Sequence, residues 1–289
     1  MSLKIAYLIQ AHDNYEHLQK LIHALNETSS SFYIHIDKKS AMPSFKADNI
    51  FFISERQNIH WGGFSQVKAT LLLLQSAIKS NCDYYAFISG ADYPIKSNSS
   101  LHNLLEQGGE YIHIEEGVNT YNPLSRYKYY YFTDWYNRRN KKNLKTSFFL
   151  RAEKLLRSLR FQKKIAFNIF VGAQWFVLSK VCVEYILMQV EANRKYIQFF
   201  KSAFCPDESF FQTIIGNSPF YRQVKGYLTY TDWSVDPGPA VITENHIPVL
   251  KAATDKFFAR KFNNNSTAVT NTIDKVLRVE TADSISNPV

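Results

Sequence analysis

Strand and helix signals alternate through the first 115 residues, and this alternation constrains the fold more than any other feature of the chain. Lys4–Ile9 is a short apolar run suited to a buried strand, and Asn14–Asn26 then carries Leu18, Leu21, Ile22 and Leu25 at helical spacing. Phe32–Asp37 and Ile50–Ile53 read as the next two strands. Val67, Leu71, Leu74 and Ile78 mark a helix over Phe64–Lys79, and Tyr84–Ser89 is a strand leading into the loop SGADYP. Ser99–Glu106 reads as a helix and Tyr111–Glu115 as a strand. The expected fold is α/β, with a mostly parallel central sheet flanked by helices. In such a sheet a ligand sits beyond the carboxyl ends of the strands.

Periodicity is lost from residue 117 to about 147, where Tyr121, Tyr127, Tyr129, Tyr130, Tyr131, Trp135 and Tyr136 are interleaved with Arg and Lys. A basic amphipathic helix is expected over Ser147–Lys164, with Leu150, Leu155, Leu159 and the Phe148/Phe149 pair as its apolar side. Then come a strand at Gln174–Leu178, helices at Val181–Glu191 and from Pro206 to about Ile215, and a strand at Tyr227–Thr231. Thr243 or Glu244 opens a short helix, FFARKF reads as a strand, Asn271–Val279 as a last helix, and the tail from Glu280 as frayed. With no repeat or linker in view, one domain over 1–289 is expected: a nucleotide-binding half at 1–115, a basic aromatic insertion at 116–168, an acceptor and catalytic half at 169–279, and a tail at 280–289.

The charge is concentrated in the insertion. Of the 34 Lys and Arg behind the net +9, thirteen lie in Arg126–Lys164 against only Asp134 and Glu153, so this segment carries +11 and the remainder −2. Aromatic and basic residues so mixed suit a single-stranded nucleic acid, a sugar-binding loop or a membrane surface. No nucleic-acid motif accompanies them, and nucleic acid is not expected as a partner. No apolar run is long enough to span a bilayer. The amino terminus lacks a signal-peptide pattern, and Cys82, Cys182 and Cys205 are sparse and odd in number, so a cytoplasmic protein with reduced thiols is expected.

The familiar phosphate cradles and the HExxH and zinc-type spacings are absent, and no DxD pair is present to hold a divalent cation. Polar strings do follow the apolar runs: Gln10–His12, His35–Asp37 and Ser89–Asp92 would line one crevice, with Asp37 placed to accept hydrogen bonds from a base or ribose. Turn and cap chemistry explains any one string taken singly. Pro206-Asp207-Glu208 suits a helix start, and equally a carboxylate base at Glu208 serving direct displacement. Arg260 and Lys261 in FFARKF are either solvated edge charges or partners of a diphosphate.

In order along the chain, AYLIQAH, FYIHIDKKS, WGGFSQVKATLLLL, ISGADYPIKS, GAQWFVLSK, PDESFFQTIIGNS, YTDWS and FFARKF resemble the core-2/I-branching family of β-glycosyltransferases, which includes peptide O-xylosyltransferases. The resemblance runs from about Ile5 to Phe262 and implies a GT-A-like fold, a UDP-sugar donor (most often UDP-GlcNAc), inversion at the anomeric carbon, and no metal or other cofactor. It makes Glu208 the base and puts donor contacts on Gln10, His12, Asp37, Trp61 and Asp92, the last where the sugar or diphosphate should lie. Lys261 is expected on the β-phosphate with Arg260 as helper, and acceptor contacts on Glu115, Arg126, Lys128, Tyr230, Asp232 and Trp233. One departure stands out: Pro237-Gly238-Pro239 is followed by Ala240 where the family usually has a second basic residue, leaving Arg260, Lys225 or Lys251 to supply that charge. The missing anchor and stem cysteines of Golgi relatives imply a bacterial-type form. A glycan or lipid-linked glycan acceptor is expected, met where the insertion touches an anionic membrane. Transfer of xylose or glucose, or a non-catalytic carbohydrate- or nucleic-acid-binding role on the same fold, are the alternatives.

Overall fold

The computed structural model describes residues 3–236 and 238–279. The tail at 280–289 and Pro237 of the Pro-Gly-Pro string lie outside the described residues. Strand β1 (Ile5–Ala11) is buried along its length except at half-buried Gln10. It pairs in parallel with β2 (Ser30–Ile36) on one side and β4 (Tyr84–Ser89) on the other, and β3 (Ile50–Phe52) extends the sheet beyond β2. β5 (Asp92–Pro94), β6 (Tyr111–Ile112), β7 (Glu115–Glu116), β8 (Phe170–Val171) and β9 (Phe176–Ser179) follow along the chain, then β10 (Thr229–Thr231) and β11 (Phe258–Arg260). The six-stranded sheet has the order β3-β2-β1-β4-β9-β6, with β9 antiparallel to both neighbours. The expected α/β plan is therefore observed: a mostly parallel central sheet covered by helices.

The two-residue period of β1 divides the core between two layers. Ala6 and Leu8 face Val67, Leu71 and Leu74 of the helix Ser65–Ala77 and the cluster around Phe176, Phe210 and Phe211. Ile5, Tyr7 and Ile9 face Leu18, Leu21, Ile22 and Leu25 of the helix Tyr15–Leu25, with Leu101, Leu105 and Ile273 from two later helices. The chain winds from β1 outward to β3 and then crosses to β4, so the strand order reverses between β1 and β4 and opens a crevice at their carboxyl ends.

Several expectations are corrected. SGADYP is not all loop, because Asp92–Pro94 is β5, antiparallel to β11 in a second sheet of order β10-β11-β5. Tyr111–Glu115 divides: Tyr111 and Ile112 join the main sheet, while Glu115 and Glu116 pair with β8. Pro206–Glu208 is a separate 3-10 turn before the helix Phe210–Gly216, and the segment Arg194–Phe200 forms a helix that periodicity did not predict.

The basic helix spans Leu144–Ser158, opened by the Asn143 side chain accepting from Lys145 N. Its expected apolar side is divided between two faces. Leu155, Leu159 and Phe148 point outward, and the buried positions are Thr146 and Glu153. Polar anchors decide this: Glu153 accepts from Phe132 N, the Tyr136 hydroxyl and Arg138, and Thr146 Oγ1 donates to Asn137 O. Phe149 stacks inward against Tyr136 at 5.4 Å, and Leu150 and Leu156 are half-buried. Among the described residues no helix is long and apolar enough to cross a membrane, and all three cysteines are free and buried.

Gly172 shows how tightly β7 and β8 are seated, since a Cβ there would lie 1.9 Å from the His113 carbonyl oxygen. Backbone cannot yield as a flexible side chain does. Gly172→Ala is expected to cost about 1–3 kcal/mol of unfolding free energy, read as a lowered urea midpoint at unchanged slope.

Candidate active site

A cleft of about 630 Å³ opens at the β1/β4 switch point. Gln10, His12 and Asp13 border it from the end of β1, Asp37 and Lys39 from the end of β2, and Ser89, Gly90 and Ala91 from the end of β4. The opposite wall comes from Ile59–Trp61, Asn137 and Arg139, Gln174 and Trp175, Trp233 and Pro239, and Arg260 and Lys261. Of the expected donor residues, Gln10, His12, Asp37, Trp61, Arg260 and Lys261 thus share one cavity.

The β2 side of the cleft is held rigidly. One Asp37 oxygen accepts from Lys39 N at 3.0 Å, and the other lies 3.3 Å from the Lys39 ammonium. Gln10 donates its amide to Gln66 O and Thr70 Oγ1, which leaves its carbonyl oxygen without a protein partner among the described residues. His35 Nε2 accepts from Gln57 N at 2.8 Å, and burial pushes its pKa down to about 4, so the ring is neutral with its proton on Nδ1. The glycines of WGGFS have a packing purpose. A Cβ at Gly63 would lie 2.2 Å from an Asp134 oxygen, the atom that accepts from Ser65 N at the start of the helix Ser65–Ala77. Asp134 docks the insertion beside the cleft in this way, and Arg139 lies over the exposed Trp61 ring at 4.7 Å.

Asp92 does not line the cleft. Its carboxylate is fully buried beneath it, taking hydrogen bonds from Ser89 N and Ser89 Oγ and facing Arg260 Nε at 3.2 Å. Burial raises its pKa and lowers that of Arg260, and each charge opposes the other's shift. The Arg260 guanidinium stacks on Trp175 at 4.2 Å. Lys261 is exposed at the cleft wall and forms no ion pair among the described residues. Of the three replacements for the missing basic residue, only Arg260 borders the cleft: Lys225 donates to Gln107 O elsewhere, and Lys251 is exposed on the helix Ile247–Ala252.

Glu208 stands beside the cleft rather than among its lining residues. Its carbonyl accepts from Gly172 N at 2.9 Å, two residues before Gln174 in the wall. Its carboxylate Oε2 accepts from Arg126 at 2.6 Å. Burial raises the Glu208 pKa, and Arg126 opposes the rise. Arg126 also donates to Asn122, whose N–H donates to Asn119, whose amide in turn donates to Glu115. Glu115 and Arg126 are therefore linked to the Glu208 side, whereas half-buried Lys128 has no such link. Tyr230 and Asp232 lie outside the cleft lining, with Asp232 bonded to His246 at 3.0 Å. Trp233, expected at the acceptor, borders the same cavity as the donor residues.

Sequence reasoning passed over Lys39, Asn137, Arg139 and Trp175. Trp175 stood within GAQWFVLSK and in the strand expected at Gln174–Leu178, with no role at the site assigned to it. Asp134 carried a signal, as one of only two acids in the basic segment.

With this geometry in place, the comparisons decide the family. A family model described as Core-2/I-Branching enzyme matches residues 5–259. The chain belongs to the core-2/I-branching enzyme family. Xylosyltransferase 1 of Rattus norvegicus is 27% identical over 251 residues, covering 80% of this chain and 28% of that protein. Beta-1,3-galactosyl-O-glycosyl-glycoprotein beta-1,6-N-acetylglucosaminyltransferase 3 of Mus musculus is 23% identical over 239 residues, covering 77% of this chain and 51% of that protein. This core-2/I-branching chain thus spans about a quarter to a half of the length of these curated relatives. The apo structure of mouse xyloside xylosyltransferase 1 aligns over 91% of the chain and 99% of its own at 10% identity, with a TM-score of 0.31.

The residue before Glu208 gives the site a pH signature. Asp207 is buried with Oδ1 unpartnered, and burial together with the neighbouring Glu208 charge pushes its pKa up from 3.8 to about 7. A carboxyl raised on folding stabilises the fold fully at low pH and loses that contribution as pH climbs through its folded pKa. Unfolding free energy relative to Asp207→Asn should therefore fall between about pH 4 and pH 7, measured by urea denaturation of both proteins across that range.

Proposed function

We propose that this protein is an inverting glycosyltransferase that moves a sugar, GlcNAc as the first choice, from a UDP-sugar to a hydroxyl of a glycan acceptor. The observation that carries the reading is Glu208. It is a half-buried carboxylate whose pKa is raised and whose Oε2 is held by Arg126, beside a cleft large enough for a nucleotide-sugar. A general base works best when its pKa lies near the operating pH, and burial moves Glu208 in that direction. With Arg126 on one oxygen, Oε1 is left to take the proton from an acceptor hydroxyl. That hydroxyl oxygen attacks the anomeric carbon from the face opposite the diphosphate, and the configuration inverts.

The leaving diphosphate gains negative charge as the bond breaks, and fixed cations stabilise it. Lys261 fits this task because its charge is uncompensated, while Arg260 shares its charge with Asp92 and presents the rest of its fork from the face of Trp175. Asp92 then acts as a positioning residue, setting the angle of Arg260 from below. Uridine recognition is assigned to the Gln10, His35 and Asp37 side of the cleft. Metal independence is part of the proposal and rests on the family resemblance and on a sequence without a DxD pair. The xylosyltransferase relatives favour UDP-xylose as the second donor to test.

Glu208→Gln is expected to lose about 10²–10⁴-fold in transfer rate while binding UDP normally, and near-normal transfer would remove Glu208 from the role of base. Lys261→Ala should weaken UDP binding about ten- to a hundredfold by calorimetry. Transfer and hydrolysis of UDP-GlcNAc, UDP-xylose and UDP-glucose should persist in excess EDTA, and loss of all activity there would overturn the metal-free mechanism.

A further inference from the structure

Phe149, Leu150 and Leu156 of the helix Leu144–Ser158 are half-buried, but four further large apolar side chains on and just after this helix face outward, more than a helix packed only on its own protein needs. Leu144, Phe148, Leu155 and Leu159 fall on one stripe by their helical spacing and are 87%, 66%, 58% and 59% exposed. The opposite stripe is clamped to the protein by Glu153 and Thr146, so the helix cannot roll to bury the leucines without breaking the Glu153 hydrogen bonds. Arg151 sits within the outward stripe, and Lys141, Lys142, Lys145, Lys154 and Arg160 surround it, all exposed and without ion pairs among the described residues. Other cations of the segment are engaged: Arg126 by Glu208, Arg138 by Glu153, and Lys163 on Phe199 O, where burial lowers its pKa to about 7.

We propose that this stripe is a docking surface for an anionic lipid bilayer. The core of a protein interface is depleted in Lys, so a seam of Leu and Phe mixed with lysines fits a protein partner poorly. It fits the boundary of a membrane, where apolar side chains enter the acyl edge while Lys and Arg heads rise to the phosphates. A basic face beside an anionic leaflet adds electrostatic attraction of the matching sign. The same segment reaches the cleft, since Asp134 caps the helix Ser65–Ala77 while Asn137 and Arg139 form part of the cleft wall. Docking would therefore hold the cleft at a fixed height above the bilayer, and this holds whichever sugar is transferred.

The test is cosedimentation of the whole protein with vesicles of pure phosphatidylcholine or of an equimolar phosphatidylcholine and phosphatidylglycerol mixture, at low and high salt. Binding is expected on the mixed vesicles only, weakening with salt. The combined variant Leu144→Ser, Phe148→Ser and Leu155→Ser should lower partitioning about tenfold or more. Replacing Lys141, Lys142 and Lys145 with Gln should lower it about fivefold for each charge removed. These positions are exposed, and unchanged thermal unfolding and UDP binding of both variants would show that the fold is intact. No binding to the mixed vesicles at low salt, or equal binding by the serine variant, would overturn the proposal. So would a protein dimer that the serine variant dissolves, with vesicles ignored, since the stripe would then serve a second copy of the chain.

Discussion

The arrangement of the cleft depends on one buried ion pair. Asp92 and Arg260 are register partners between β5 and β11, and their side chains meet at 3.2 Å beneath the cavity floor. Neither charge would be tolerated alone, because burial of an unpaired ion costs several kcal/mol. Ser89 at the end of β4 donates twice to the same carboxylate, which fastens the main sheet to the second sheet. Trp175, just before β9, supplies the flat face on which the guanidinium rests. Three separated stretches of chain, at Ser89–Asp92, Trp175 and Arg260, thus meet at this ion pair, and the orientation of the Arg260 guanidinium follows from it.

A comparable economy governs the insertion. The two acids of Arg126–Lys164 are both used for attachment: Asp134 to the start of the helix Ser65–Ala77, and Glu153 to the loop at Phe132–Arg138. Because these anchors are polar and specific, they settle which side of the basic helix faces inward before hydrophobic burial can. Outward leucines are the consequence, in a segment whose cations outnumber its acids more than sixfold.

Legibility of the chain followed the range of the contacts. The helices Tyr15–Leu25 and Ser65–Ala77 and the strands beside them were readable because periodicity is a local property, and the polar strings after β1, β2 and β4 led to the cleft by the strand-end rule. Asp92–Pro94 read as loop because its strand partner lies more than 160 residues later. The division at His113 was invisible because it reflects the close approach of Gly172. Asp92 read as a ligand contact for the same reason: only the partner at Arg260 shows that its carboxylate is used inside the protein. Periodicity marks an apolar side on the basic helix but not which way it faces, because it counts side chains and cannot see a buried glutamate's hydrogen bonds.

Charge location then separates binding from place. Lys39 faces Asp37 within the cleft and Arg260 faces Asp92 beneath it, while Lys261 and Arg139 border the cavity and form no ion pair among the described residues. On the proposed reading these two cations would meet the compact negative charge of a diphosphate. Of the cations in Arg126–Lys164, which carries +11, Arg139 borders the cleft, and screening over about 10 Å at ordinary salt limits the reach of those farther off. Net +9 therefore says little about the cleft itself, and on the proposed readings most of the excess charge would act on something much larger than a sugar nucleotide.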